Sequence, residues 1–155
     1  MSKTHMYPTC ILEKDEVSAK VLHKVYKGMI GSLLYLTGYR PNNLLSVCLC
    51  ARFQSDPRES HLTVVTRIFR YLKGKINLSL CYRKSKDYKL VGYCDVDYAG
   101  DRLERKSTSG SCQFLGDNLI SWSSKRKSTI ALSIAETEYI ASSGCSTQML
   151  WIKAN

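Results

Sequence analysis

A chain of 155 residues that is 44% apolar has material for one globular domain with a real core, and its longest apolar stretch, Met29 to Leu36, is interrupted by Gly31 and Ser32 and falls far short of the roughly 20 residues of a membrane span. Seven cysteines without a CxxC pair indicate neither a disulfide framework nor a zinc site; they read as small buried thiols of a reducing, intracellular compartment, and the polar start, Met1 to Thr9, is not a secretory signal. The formal charge of +10 points to a polyanionic partner.

Residues 1–20 hold no period and carry Pro8 and the mixed charge run Glu13 to Glu16, which reads as a loose lead-in. From residue 21 to residue 75 the reading is helical. Val21, Val25, Met29, Leu33 and Leu36 recur at helical spacing before the stop at Gly38. Asn42 or Asn43 then caps a second helix through Phe53. Asp56-Pro57-Arg58-Glu59 opens a third, with Asp56 as N-cap, Pro57 in the first turn and Leu62, Val65, Phe69 and Leu72 as its inner stripe down to Gly74. Residues 76–155 change period. Ile76 to Tyr82 alternates as a strand, Leu90 to Tyr98, Thr108 to Leu115 and Leu119 to Ser123 follow as three more, with a turn at Gly116-Asp117-Asn118, and a final helix starts at Ile134.

Cations concentrate in one stretch: Arg67, Arg70, Lys73, Lys75, Arg83, Lys84, Lys86 and Lys89 surround the single acid Asp87. Arg67, Arg70 and Lys73 lie three apart on the outer face of the third helix. Arg102, Arg105 and Lys106, and Lys125, Arg126 and Lys127, form two smaller groups in expected loops. Such positions suit a phosphate backbone, and a solvated cationic face is the plain alternative.

Two carboxylates of interest sit among them. Asp95 and Asp97 are two apart on a strand, so both point to one side near its end, where they could share a hard cation such as Mg²⁺. Glu138 falls in the middle of a helical stripe of Ile134, Ala141, Cys145, Met149 and Ile152, where a carboxylate is costly unless paired or metal-bound; a partly exposed edge position, or a partner among Lys125 to Lys127, is the plain alternative. Glu136 has a structural role instead, because Ser133-Ile134-Ala135-Glu136 is a capping box.

The stretches Gly28 to Thr37, Arg40-Pro41, Arg67 to Gly74, Asp95 to Gly100, Arg105 to Gly110, Ile120 to Lys125 and Ser133 to Ala141 come in an order and spacing that resembles the Pol polyprotein of copia-type long-terminal-repeat retrotransposons, abundant in plant genomes. The part resembled is the end of the reverse transcriptase and the start of the ribonuclease H domain. The resemblance implies an α+β fold: a helical front like a polymerase thumb or connection, then a truncated, mainly antiparallel ribonuclease H-like sheet with one packed helix. It also implies that Asp95 and Glu138 are catalytic metal ligands for cleaving RNA in an RNA/DNA hybrid with Mg²⁺, helped by Asp97. Later ribonuclease H aspartates and the polymerase palm are not in these 155 residues, so the expectation is a catalytically incomplete fragment. Its expected partners are nucleic acid, through Arg67, Arg70, Lys73, Arg105, Lys106, Lys125 and Arg126, and the rest of a Pol polyprotein. The alternatives are a non-catalytic nucleic-acid-binding module or a translated remnant without activity.

Overall fold

The helical spacing of the front half forms three helices and the alternating spacing of the back half forms a three-stranded sheet, in a computed structural model that describes residues 12–84, 87–100, 104–128 and 130–155. Helix α1 is His23–Thr37, a single 3-10 turn covers Pro41–Asn43, α2 is Leu44–Ala51 and α3 is Glu59–Gly74. Strands β1 (Leu90–Asp97), β2 (Thr108–Leu115) and β3 (Asn118–Arg126) precede α4, Ile134–Ala154. The class is α+β. The chain divides into two compact units, Met1–Leu80 and Cys81–Asn155.

In the first unit, Tyr26, Ile30 and Leu33 of α1, Val47 and Cys50 of α2, and Val64, Val65 and Ile68 of α3 make the core. The buried row of α1 keeps the expected Leu33 but is displaced from Val21, Val25 and Met29. Val25 is 50% exposed, and Tyr26 is fully buried. Two neighbouring apolar rows competed, and a polar group decided between them: the Tyr26 hydroxyl donates to the Cys50 carbonyl at 2.9 Å, so the large ring enters the core without an orphaned oxygen. Burial holds this phenol well above its ordinary pKa of 10.0. A group whose folded pKa is raised stabilises the fold below the unfolded pKa and loses that contribution as pH climbs. Denaturant titration of the chain should show its stability falling from about pH 10 upward, an effect reduced in Tyr26→Phe, which itself costs about 1 kcal/mol at neutral pH.

The start of α3 differs from the expected Asp56 cap. The helix begins at Glu59, and Arg58 is extended at the N-cap (φ −118°, ψ 167°) because the backbone beside it is already paired. The Val21 N–H donates to the Pro57 carbonyl at 3.0 Å and the Glu59 N–H to the Ala19 carbonyl at 3.1 Å. Asp56 instead pairs with Arg58 at 2.9 Å. His61, 1% exposed, completes the cap. Its Nδ1 accepts the Arg58 N–H at 3.1 Å, so Nε2 carries the proton and donates to the Glu13 carbonyl at 3.0 Å, while the ring stacks on Phe53 at 4.1 Å. These bonds tie Glu13, Ala19 and Val21 of the chain before α1 to the start of α3. Residues 1–11 lie outside the described residues.

The strand expected over 76–82 is not formed. Ile76 and Tyr82 are 73% and 58% exposed, and no described strand pairs with this segment; alternation makes a strand only where a ladder partner exists.

In the second unit the sheet order is β1-β2-β3, antiparallel throughout. A two-residue turn joins β2 to β3, with Gly116 at φ 58°, where glycine carries no Cβ penalty. Helix α4 lies on β1 and β2. The contact is close at Gly92, where any added methyl group would overlap Met149 Sδ and come within 2.9 Å of Cys145 Sγ.

Candidate functional site

Register and alternation fix the face of each candidate residue. Gly92 and Cys94 of β1 face α4: Gly92 lies against Cys145 and Met149, and Cys94 Sγ is 3.7 Å from Ser142 Oγ. Tyr93, Asp95 and Asp97 therefore point to the other face, where Tyr93 meets Phe114 edge-on at 5.9 Å. The Asp95 carboxylate accepts the Val96 N–H at 2.9 Å. That of Asp97 folds over Gly100, where a Cβ would overlap both its oxygens.

Glu138 is exposed in the second turn of α4, and the buried residues there are Thr137, Ala141 and Cys145. Placing Glu138 mid-stripe was an error of one residue. Thr137, 1% exposed, fills the position and satisfies its hydroxyl by donating to the Ser133 carbonyl at 2.9 Å. The desolvation cost that would have demanded a metal or partner at Glu138 does not arise. Among the described residues, no group of three or more His, Cys, Asp or Glu side chains is placed to hold a metal ion. The described side chains do not make the ligand set that a two-metal site requires.

Glu136 caps the helix. Its N–H donates to Ser133 Oγ at 3.1 Å, and its carboxylate accepts the Leu132 N–H at 2.9 Å, one residue before the usual capping-box partner. Glu136→Gln keeps an acceptor there and should cost about 1 kcal/mol or less in thermal or denaturant unfolding.

The cations separate into two kinds. Arg67, Arg70 and Lys73 are exposed along α3, and no ion pair among the described residues involves them. Arg105 is exposed in a left-handed turn at φ 52°. Lys106 and Arg126, by contrast, both pair with Glu104, at 2.5 and 3.0 Å, and these two bonds hold its carboxyl below the usual range. Lys106 and Arg126 share this one carboxylate, which offsets half of their charge. Lys86 and Arg102 lie outside the described residues.

The sequence reading missed the space under α4. Ser111 and Gln113 of β2, Ser121, Ser123 and Lys125 of β3, and Lys127 line a cavity of about 290 Å³ between sheet and helix. The Ser111 and Ser123 hydroxyls bond each other at 2.9 Å. The signal was available as a period-two row of small polar side chains on the strand face that an apolar helix would ordinarily cover.

No protein-family model matches the chain, and no solved structure matches it. Among curated proteins it is 39% identical over 127 residues to the retrovirus-related Pol polyprotein from transposon RE1 of Arabidopsis thaliana, covering 82% of this chain and 9% of that protein. It is 39% identical over 149 residues to the Pol polyprotein from transposon TNT 1-94 of Nicotiana tabacum, 96% of this chain and 11% of that protein. The secreted RxLR effector protein 161 of Plasmopara viticola is 37% identical over 128 residues, 82% of this chain and 90% of that protein. The chain spans about a tenth of the length of the two Pol polyproteins. Identity at this level over most of its residues shows that the chain belongs to the family of Pol polyproteins of copia-type retrotransposons.

Proposed function

We propose that this chain is a nucleic-acid-holding piece of a copia-type Pol polyprotein, from the end of the reverse transcriptase and the start of a ribonuclease H-like domain, that grips a duplex such as an RNA/DNA hybrid by its phosphates. RNA-directed DNA synthesis and hybrid cleavage are functions of the larger assembly. The observation that carries this reading is the row Arg67, Arg70 and Lys73, exposed and outside every described ion pair, in a chain of net charge +10. Free cations three residues apart along one helix face exchange condensed counterions for phosphates, and the release of those ions supplies sequence-independent affinity. Anisotropy titration of labelled RNA/DNA hybrids of unrelated sequence should give matching affinities that fall steeply with salt. Strong sequence preference or salt-independent binding would sink the proposal.

The Mg²⁺ expected from the resemblance has no matching ligand set among the described residues, so no cleavage step is assigned to them. Incubation of the 155-residue chain with hybrid and ample Mg²⁺ should leave the RNA strand intact, with Asp95→Asn indistinguishable from the parent. Robust cleavage abolished by Asp95→Asn would show that Asp95 and Glu138 assemble a working site.

A further inference from the structure

Tyr26 enters the core of the first unit because its hydroxyl finds a partner there, and two other tyrosines of that unit do the opposite. Tyr35, on α1, and Tyr39, in the turn that follows, are 71% and 61% exposed. Their rings lie side by side, centroids 5.7 Å apart at 58°, and a hydrogen bond from the Tyr39 hydroxyl to Tyr35 holds the Tyr39 phenol above its ordinary pKa. The turn is itself fixed, because the Tyr39 N–H donates to the Leu36 carbonyl at 3.0 Å. Arg40 then ties it to the end of α3, donating to the Lys75 and Ile76 carbonyls at 3.2 Å. The pair is thus a pre-set aromatic surface, its orientation settled before anything binds.

Cations bracket this pair. On α1, Lys24, Lys27, Gly28, Gly31 and Tyr35 recur at helical spacing on the side away from buried Tyr26, Ile30 and Leu33, and all five are exposed. A Cβ added at Gly28 or Gly31 would meet open space, so the path from Lys27 to Tyr35, about 12 Å of helix, is unobstructed. At the other end the Arg40 bonds place exposed Lys75 beside the turn. None of Lys24, Lys27 and Lys75 is in a described ion pair. The sequence holds no Asp or Glu from Val17 to Ser55 or from Ser60 to Lys86, so no carboxylate of α1, α2 or the last turns of α3 opposes an anion here. Cations alone fit any polyanion. Aromatic faces among them select a polyanion that carries flat groups free to stack, and in a duplex those groups are already stacked on one another. We infer that the outer face of α1 is a binding site for single-stranded nucleic acid, with a base stacked on Tyr35 and Tyr39 and the flanking phosphates against Lys24 and Lys27 on one side and Lys75 on the other. The site is separate from the Arg67-Arg70-Lys73 row of α3 and does not depend on that reading.

Anisotropy titration of the 155-residue chain with labelled oligothymidylate, and in parallel with an abasic strand of the same length and charge, tests it. Saturable binding is expected, about tenfold tighter for the strand that carries bases. Tyr35→Leu with Tyr39→Leu removes the rings and keeps apolar bulk; it should weaken oligothymidylate about tenfold and leave the abasic strand unchanged, and Tyr35→Phe with Tyr39→Phe should restore the difference. Lys24→Gln, Lys27→Gln and Lys75→Gln together should weaken both strands and flatten the slope of log affinity against log salt by about 2. A 2-aminopurine base in the strand should lose fluorescence on binding the parent chain, a readout that survives if the leucine variant fails to fold. The triple replacement of Arg67, Arg70 and Lys73 should leave the preference for the base-bearing strand in place, so the two proposals fail separately. Equal affinity for the two strands, an unquenched 2-aminopurine, or a folded leucine variant that keeps the parent's preference overturns the site. So does tyrosine-dependent binding to anionic lipid vesicles that oligothymidylate fails to displace, which would assign the pair to a membrane surface.

Discussion

Replacing Arg67, Arg70 and Lys73 together by glutamine is expected to lower the affinity for an RNA/DNA hybrid by about two orders of magnitude at 0.1 M salt. Each phosphate contact contributes about 0.9 to the slope of log affinity against log salt, so three contacts contribute about 2.7. The slope should flatten by that amount, and the affinity difference should shrink as salt rises. Stability should hardly change, because all three side chains are exposed and surface substitutions of this kind stay within about 0.5 kcal/mol. Anisotropy titrations at several salt concentrations measure both quantities. An unchanged slope would reduce the row to a solubility feature of α3.

Gly92→Val should destabilise the second unit by about 3 kcal/mol, enough to lower its melting temperature by more than 10 °C. The added Cβ alone overlaps Met149 Sδ and approaches Cys145 Sγ to 2.9 Å. The thioether can swing away, but Cys145 is buried between Gln113 and the Tyr93 carbonyl and has nowhere to go. Both tryptophans, Trp122 and Trp151, belong to this unit, so their fluorescence follows its unfolding. Gly92→Ala combined with Met149→Ala should recover part of the loss. A full loss in that double variant would place the clash on Cys145 alone, and no loss in Gly92→Val would mean that α4 does not rest on β1 at this point.

Local patterns were legible where one choice dominated. The period-two runs of β1, β2 and β3, the Gly116 turn and the Ser133–Glu136 cap each depend on residues adjacent in sequence, and each formed within a few residues of its expected place. Patterns failed where two choices were close. In α1, α3 and α4 the apolar residues cover more than one face: Leu33, Val65, Ala141 and Cys145 are buried as expected, while Tyr26, His61 and Thr137 take the places of Val25, Leu62 and Glu138. Tyr26 found the Cys50 carbonyl, His61 found Arg58 and Glu13, and Thr137 found Ser133. The run 76–82 alternates as well as β2 does, but it has no described ladder partner.

By itself the sequence determined the α+β class, the family, and the excess of cations over acids, because composition, motif order and strand period are properties of the chain read in one dimension. The tertiary structure alone decided which charges are available and which polar groups lack partners. Glu104 lies between Lys106 and Arg126 and offsets half of their charge, while among the described residues no group of three or more His, Cys, Asp or Glu side chains is placed to hold a metal ion. The packing of α4 on a serine-lined sheet face buried Gln113 with one oxygen unmatched. Charge pairing, strand facing and desolvation are set by distances between residues far apart in sequence, and those distances exist only after the chain has folded.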